Sequence, residues 1–169
     1  MRALVVALLA LGCANPAPKE AGAMKISSSA FTDGGSIPRK YTCDGNNVSP
    51  ALAFAGVPNG AKSLALIVDD PDAPGGTFDH WIVWNIPPAT TSIGDGQVPE
   101  GLSGRNGFGK SGYGGPCPPS GEHRYYFKLY ALDTTLQIPR TASKSDLENA
   151  MKGHTIADAQ MMGRYKRGQ

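Results

Sequence analysis

Three stretches of the chain are rich in apolar and β-branched or aromatic residues and short enough to be strands. They are Ser63–Asp69 (SLALIVD), His80–Ile86 (HWIVWNI) and Arg124–Leu132 (RYYFKLYAL). Weaker alternation marks Lys25–Phe31 and Ala51–Phe54 as shorter strands, with turns at Asp33–Ser36 and Val57–Gly60. Between Pro87 and Tyr113 glycines are frequent and apolar runs few, which predicts a long loop. One helix is expected after Ser143 or Ser145, either of which can cap it, with Asp146 and Glu148 in its first turn and a stop at Gly153. Thr155–Lys166 closes the chain, its last residues as a strand. Strands separated by breakers predict an all-β fold with minor α content: an antiparallel, Greek-key-like sandwich of two sheets with one or two short helices.

Side chains alternate along a strand, so each strong strand carries an apolar face that ends in an ionisable residue. Leu64, Leu66 and Val68 lead to Asp70. His80 precedes Ile82, Trp84 and Ile86, and His123 precedes Tyr125, Phe127 and Leu129. The end of the first strand and the start of the second adjoin if the two are antiparallel neighbours. His123 joins them if its strand runs in the same direction as that of His80. The expectation is a pocket at one end of the core, lined by Asp70, Asp72, His80 and His123 with Tyr125 beneath. Pro71 and Pro74 stiffen the Asp70–Pro74 segment. Glycines of the run Gly114–Gly121 offer backbone N–H groups for an anion. An apolar pocket with a few convergent polar groups is the usual form of a ligand site. Two histidines there suit a phosphate or carboxylate, with the carboxylates left to orient them or to meet a ligand amine.

Composition narrows the function classes. The chain has 169 residues, one domain's worth, and a formal net charge of +2, which gives no electrostatic basis for nucleic-acid binding. Glycine (22) and proline (14) make up about a fifth of the residues, against a helical bundle. Met1-Arg2 followed by the apolar run Ala3–Gly12 is too short to span a bilayer and resembles a secretory signal. Leu9–Cys13 resembles a lipobox, with Ala10 where leucine is commoner. Residues 1–12 are thus expected to be a lipoprotein-type signal, Cys13 the lipidated residue and 13–23 a tether, leaving a domain over 24–169. A plain secreted protein is the alternative. Cys43 and Cys117 remain and can pair in an oxidising compartment, or stay as free thiols.

Gly104–Ser111 matches the spacing of a phosphate-binding P-loop but lacks the strand before it and the helix after it. Ser103 and Ser111 are not in a nucleophile-elbow context. His80, His123, Asp70 and Asp72 together have the chemistry of a metal site, without the usual ligand spacing.

Three motifs in order, Asp70–Pro74 (DPDAP), Asp79–Asn85 (DHWIVWN) and Gly114–Tyr125 (GGPCPPSGEHRY), resemble the phosphatidylethanolamine-binding protein family in its bacterial Raf-kinase-inhibitor-like branch. Tyr41–Gly45 and Ser49-Pro50 fit the same branch, and the resemblance spans about Lys25 to Lys166. It implies a β-sandwich with a small anion-binding pocket at Asp70, Asp72, His80, Pro118, Pro119, His123 and Tyr125. It further implies a non-enzymatic protein, without cofactor, that binds an anionic ligand or phospholipid head group. Inhibition of an extracytoplasmic protease or other partner, through a loop such as Gly94–Tyr113, is the second expectation, and a metal-dependent hydrolase the third. The expected location is the bacterial cell envelope, held to the membrane by the N-terminal lipid; secretion is the alternative.

Overall fold

The computed structural model describes residues 23–168. The expected signal, Cys13 and all but the last residue of the tether lie outside the described residues. Eight strands follow one another: β1 (Lys25–Ser28), β2 (Leu52–Ala55), β3 (Ser63–Asp70), β4 (Phe78–Ile86), β5 (Ser92–Ile93), β6 (Leu102–Ser103), β7 (Glu122–Leu132) and β8 (Thr155–Lys166). A 3-10 turn covers Arg39–Tyr41, and helix α1 covers Lys144–Met151. The strands form two antiparallel sheets, β1-β2-β5 and β6-β4-β3-β7-β8.

The main core lies between the sheets. Ile26, Leu52, Phe54 and Ile93 from the smaller sheet meet Leu64, Leu66, Val68, Tyr125, Phe127 and Leu129 from the larger. A second cluster covers the other face of the larger sheet, where Ala65, Ile67, Ile82 and Trp84 pack under Leu147 and Met151 of α1. Strand β3 is therefore buried on both faces along its whole length. That accounts for its unbroken apolar run, since a strand with no solvent face has no reason to alternate.

Helix α1 begins where the capping residues allow. Ser143 accepts from the Asp146 amide, while the Asp146 carboxylate accepts from the Ser143 amide. The C-terminal strand is longer than expected. Thr155–Lys166 pairs with β7 in register from Glu122↔Lys166 to Ala131↔Ala157, and after a shift that leaves Ile156 without a partner the ladder ends at Leu132↔Thr155.

Strand β4 departs from simple alternation. Val68 pairs with Trp81 and Asp69 with Asp79, so His80 is an extra residue opposite no partner on β3. Leu64 pairs with Ile86 and Leu66 with Val83, so Ala65 faces two residues, Trp84 and Asn85. These are β-bulges. The second holds Asn85 at φ 56°, a left-handed conformation that asparagine tolerates. The Asn85 amide is fixed by donating to the Leu136 carbonyl and accepting from the Leu136 N–H, both at 2.8 Å.

The bulges correct the face assignment. Ile82 and Trp84 do not share a face with His80 and Ile86; they lie in the cluster under α1. Trp81, Val83 and Ile86 point instead into the core between the sheets. An inserted residue shifts the side-chain phase, and alternation counted along one strand does not reveal it.

Candidate functional site

Antiparallel pairing of β3 with both β4 and β7 makes β4 and β7 run in the same direction. The end of β3 and the starts of β4 and β7 therefore converge, and with them Asp70, His80 and His123. All three are buried, at 3%, 3% and 7% exposure. They line a cavity of about 200 Å³ together with Ala73, Pro74, Phe78, Phe108, Cys117, Pro118 and Pro119.

Both imidazoles are held by Nδ1. His123 lies 2.7 Å from Asp70 Oδ2, and a carboxylate can only accept, so Nδ1 carries the proton. Asp70 is itself fixed, because its Oδ1 accepts the Asp72 N–H at 2.8 Å. His80 donates Nδ1–H to the Gly114 carbonyl at 2.6 Å, and the Gly114 N–H returns a bond to the His80 carbonyl at 2.9 Å. Each ring is left with Nε2 as its remaining polar atom. Burial lowers the pKa of His80, outweighing the Gly114 carbonyl and the Asp70, Asp79 and Asp69 charges that favour its protonated form.

Tyr125 lies beneath, with its ring centroid 5.2 Å from His80, edge-on, and 6.5 Å from His123, stacked. It is fully buried, and its hydroxyl has no hydrogen-bond partner among the described residues. Burial first, and the nearby Asp70 charge next, raise its pKa, so it stays a neutral phenol.

Asp72 stands apart from the cavity lining. Its carboxylate accepts from the Arg124 N–H, Nε and Nη2, at 2.9, 2.9 and 2.7 Å. Those bonds hold its pKa at about 2. The pairing turns the side chain along β7, away from the site expected from the DPDAP spacing. The Gly114 and Gly115 amides are not available to a ligand either: one bonds His80 and the other donates to Asn47 Oδ1 at 2.7 Å.

Phe78 and Phe108 were not foreseen in the lining. Phe108 comes from the P-loop-like segment, which is a tight turn rather than a loop opening a helix. Asn106 builds it, accepting from the Phe108 and Lys110 amides and donating to the Gly112 carbonyl. The turn hangs on the start of β4 through Gly107 N–H to the Asp79 carbonyl at 2.7 Å. Phe108 then packs edge-on against Phe78 and His80, at 4.8 and 5.6 Å between centroids. The neighbouring wall is covalent. Cys43 and Cys117 form a disulfide that ties the Pro116–Pro119 segment to the loop before β2. Among the described residues, no cluster of three or more His, Cys, Asp or Glu side chains has the arrangement of a metal site.

A sequence model of the phosphatidylethanolamine-binding protein family matches residues 27–166. A UPF0098 protein of Methanothermobacter thermautotrophicus is 52% identical over 151 residues, covering 86% of this chain and all of that one. The crystal structure of the phosphatidylethanolamine-binding protein homolog CT736 of Chlamydia trachomatis superposes with a TM-score of 0.84 at 45% identity, covering 86% of this chain and 98% of that one. Escherichia coli YbcL, described as a new member of the mammalian family, superposes with a TM-score of 0.79 at 34% identity, over 85% and 98%.

Proposed function

The chain belongs to the phosphatidylethanolamine-binding protein family, and we propose that it is a non-enzymatic binding protein whose cavity takes a small anion or a phosphorylated head group. One observation carries this reading. Two buried imidazoles flank a 200 Å³ cavity, each fixed through Nδ1 and each keeping Nε2 for a ligand. His123, with its Nδ1–H given to Asp70, presents Nε2 to the ligand. Neutral His80 can accept from a phosphate hydroxyl, or take up a proton and donate as the anion enters. The rest of the lining is proline, phenylalanine and alanine, which excludes water and strengthens those bonds. Enclosure of that size suits a head group, with any acyl chains left outside.

In this reading the N-terminal segment places the domain in the cell envelope, anchored by lipid at Cys13 or secreted. The Cys43–Cys117 disulfide is consistent with an oxidising compartment. A second reading, inhibition of an extracytoplasmic protease or other partner protein, draws on the Gly94–Tyr113 loop. That loop presents Val98 at 78% and Phe108 at 44% exposure.

The test is a titration with inorganic phosphate and phosphoethanolamine, following the histidine ring signals by NMR. Saturable shifts of His80 and His123, lost in His80→Ala, are the expected result. No shift at millimolar ligand overturns the head-group reading. Val98→Ser separates the two readings, since Val98 lies on the exposed loop outside the cavity lining and its loss weakens loop-driven inhibition while leaving anion binding intact.

A further inference from the structure

The bulge that presents His80 has a charged support on the opposite face of the sheet. Asp69 and Asp79 are directly paired across β3 and β4, at the point where the extra residue His80 is accommodated. Paired residues point to the same face. Asp70 and His80 face the cavity, and Asp69 and Asp79 face α1. Two carboxylates opposite one another repel and would drive the strand ends apart. Asp69 is 1% exposed, and its Oδ1 has no hydrogen-bond partner among the described residues. Water screens this repulsion poorly.

Lys144 sits between them. Its Nζ donates to Asp69 Oδ2 at 2.8 Å and forms an ion pair, without hydrogen-bond geometry, with Asp79 Oδ1 at 3.3 Å; 15% of its side chain is exposed. Lys128 of β7 also reaches Asp69 Oδ2, at 2.8 Å, but Asp79 has no other cation among the described residues. Lys144 is the first residue of α1, where the helix dipole disfavours a positive charge. The two carboxylates supply a physical reason for a lysine there. What the clamp holds together matters to the cavity. The Asp79 carbonyl anchors the Phe108 turn through Gly107, and the His80 carbonyl and ring both bond Gly114.

We propose that Lys144 is a positioning residue for His80: by bridging Asp69 and Asp79 behind the sheet, it holds the bulge that aims the His80 ring into the cavity. The proposal rests on the head-group reading for its functional meaning, but the geometry can be tested without any ligand.

The experiment compares wild type, Lys144→Met, Lys144→Arg and Asp79→Asn/Lys144→Met. Three readouts are taken on each purified protein: melting temperature, the NMR resonance of the His80 Nδ1 proton, and affinity for inorganic phosphate. Lys144→Met is expected to displace the Nδ1 proton resonance and to weaken phosphate binding about tenfold, the order seen when an outer partner that orients a ligating histidine is lost. Lys144→Arg keeps the bridge and recovers both. Asp79→Asn/Lys144→Met removes the repulsion along with the cation and also recovers both. A Lys144→Met protein that melts lower while its His80 resonance and affinity stay at wild-type values overturns the proposal, because α1 docking alone then explains the lysine. Failure of both other variants to recover the resonance overturns it as well. If Lys144→Met yields no folded protein, Asp79→Asn/Lys144→Met must still fold with a wild-type His80 resonance, and its failure counts against the clamp. Absence of phosphate binding by wild type defeats the head-group reading instead, leaving the resonance comparison to decide the role of Lys144.

Discussion

His123 donates its Nδ1 proton to Asp70 Oδ2 at 2.7 Å, within a pair whose side chains are almost fully removed from solvent. The contact sets which nitrogen of His123 carries the proton and leaves Nε2 for the cavity. It also fixes the orientation of the ring.

Asp70→Asn keeps the shape of that carboxylate and removes its charge. Phosphate affinity should fall about tenfold or more, and stability should drop by roughly 1–3 kcal/mol as a buried hydrogen bond is compromised. Isothermal titration calorimetry with a parallel chemical denaturation curve measures both. Wild-type affinity in a folded Asp70→Asn protein would exclude an orienting role for the pair.

His80 makes stability depend on pH in a definite direction. Burial lowers its pKa below the unfolded value of about 6.5. As the pH falls through 6.5 the unfolded chain takes up a proton that the folded chain still refuses. The stability present above that pH is therefore lost progressively toward the folded pKa. Denaturation midpoints at pH 7.5 and 5.5 should differ less in His80→Gln than in wild type. Sulfate, whose charge is constant over this range, should bind wild type more tightly at the lower pH, because His80 on protonation gains a donor at Nε2. Equal pH dependence in the two proteins would show that His80 does not titrate as the burial argument requires.

The disulfide closes a loop with a sequence separation of 74 residues. By loop-closure entropy that corresponds to about 4 kcal/mol. Cys43→Ser/Cys117→Ser should shift the chemical denaturation curve by that order. A shift well below 1 kcal/mol would mean that the unfolded chain is already restricted, or that the bond is not formed in solution.

Asp72 should be separable from Asp70 despite standing two residues away. Its carboxylate is committed to Arg124 and lies outside the cavity lining. Asp72→Asn is expected to leave phosphate affinity unchanged while Asp70→Asn lowers it. With its pKa at about 2, Asp72 should stay ionised through any pH range in which the histidines titrate. Loss of phosphate binding in Asp72→Asn would return this residue to the site.

What the amino-acid order determined by itself was local. Ser143 and Asp146 three residues apart set the start of α1, because a capping box needs only neighbouring atoms. Strands β3, β4 and β7 were legible because runs of branched and aromatic side chains fit pleated, buried positions. The convergence of Asp70, His80 and His123 was legible only as a conditional, because it required β4 and β7 both to flank β3, and the sheet order supplies that. Tertiary structure decided the rest. The bulges at His80 and Asn85 depend on how β4 registers against β3, so the faces of Ile82, Trp84 and Ile86 were not readable along one strand. Phe108 reaches the cavity because Gly107 and Gly114 bond backbone atoms of Asp79 and His80, roughly thirty residues away, and a glycine-rich segment carries no periodic signal for such a contact. Asp72 is drawn from the cavity by Arg124, and Lys144 meets Asp69 and Asp79, only once β7 and α1 are in place. Propensity and patterning act over a few residues; bulges, loop docking and ion-pair choice arise between segments distant in sequence, and the folded packing selects them.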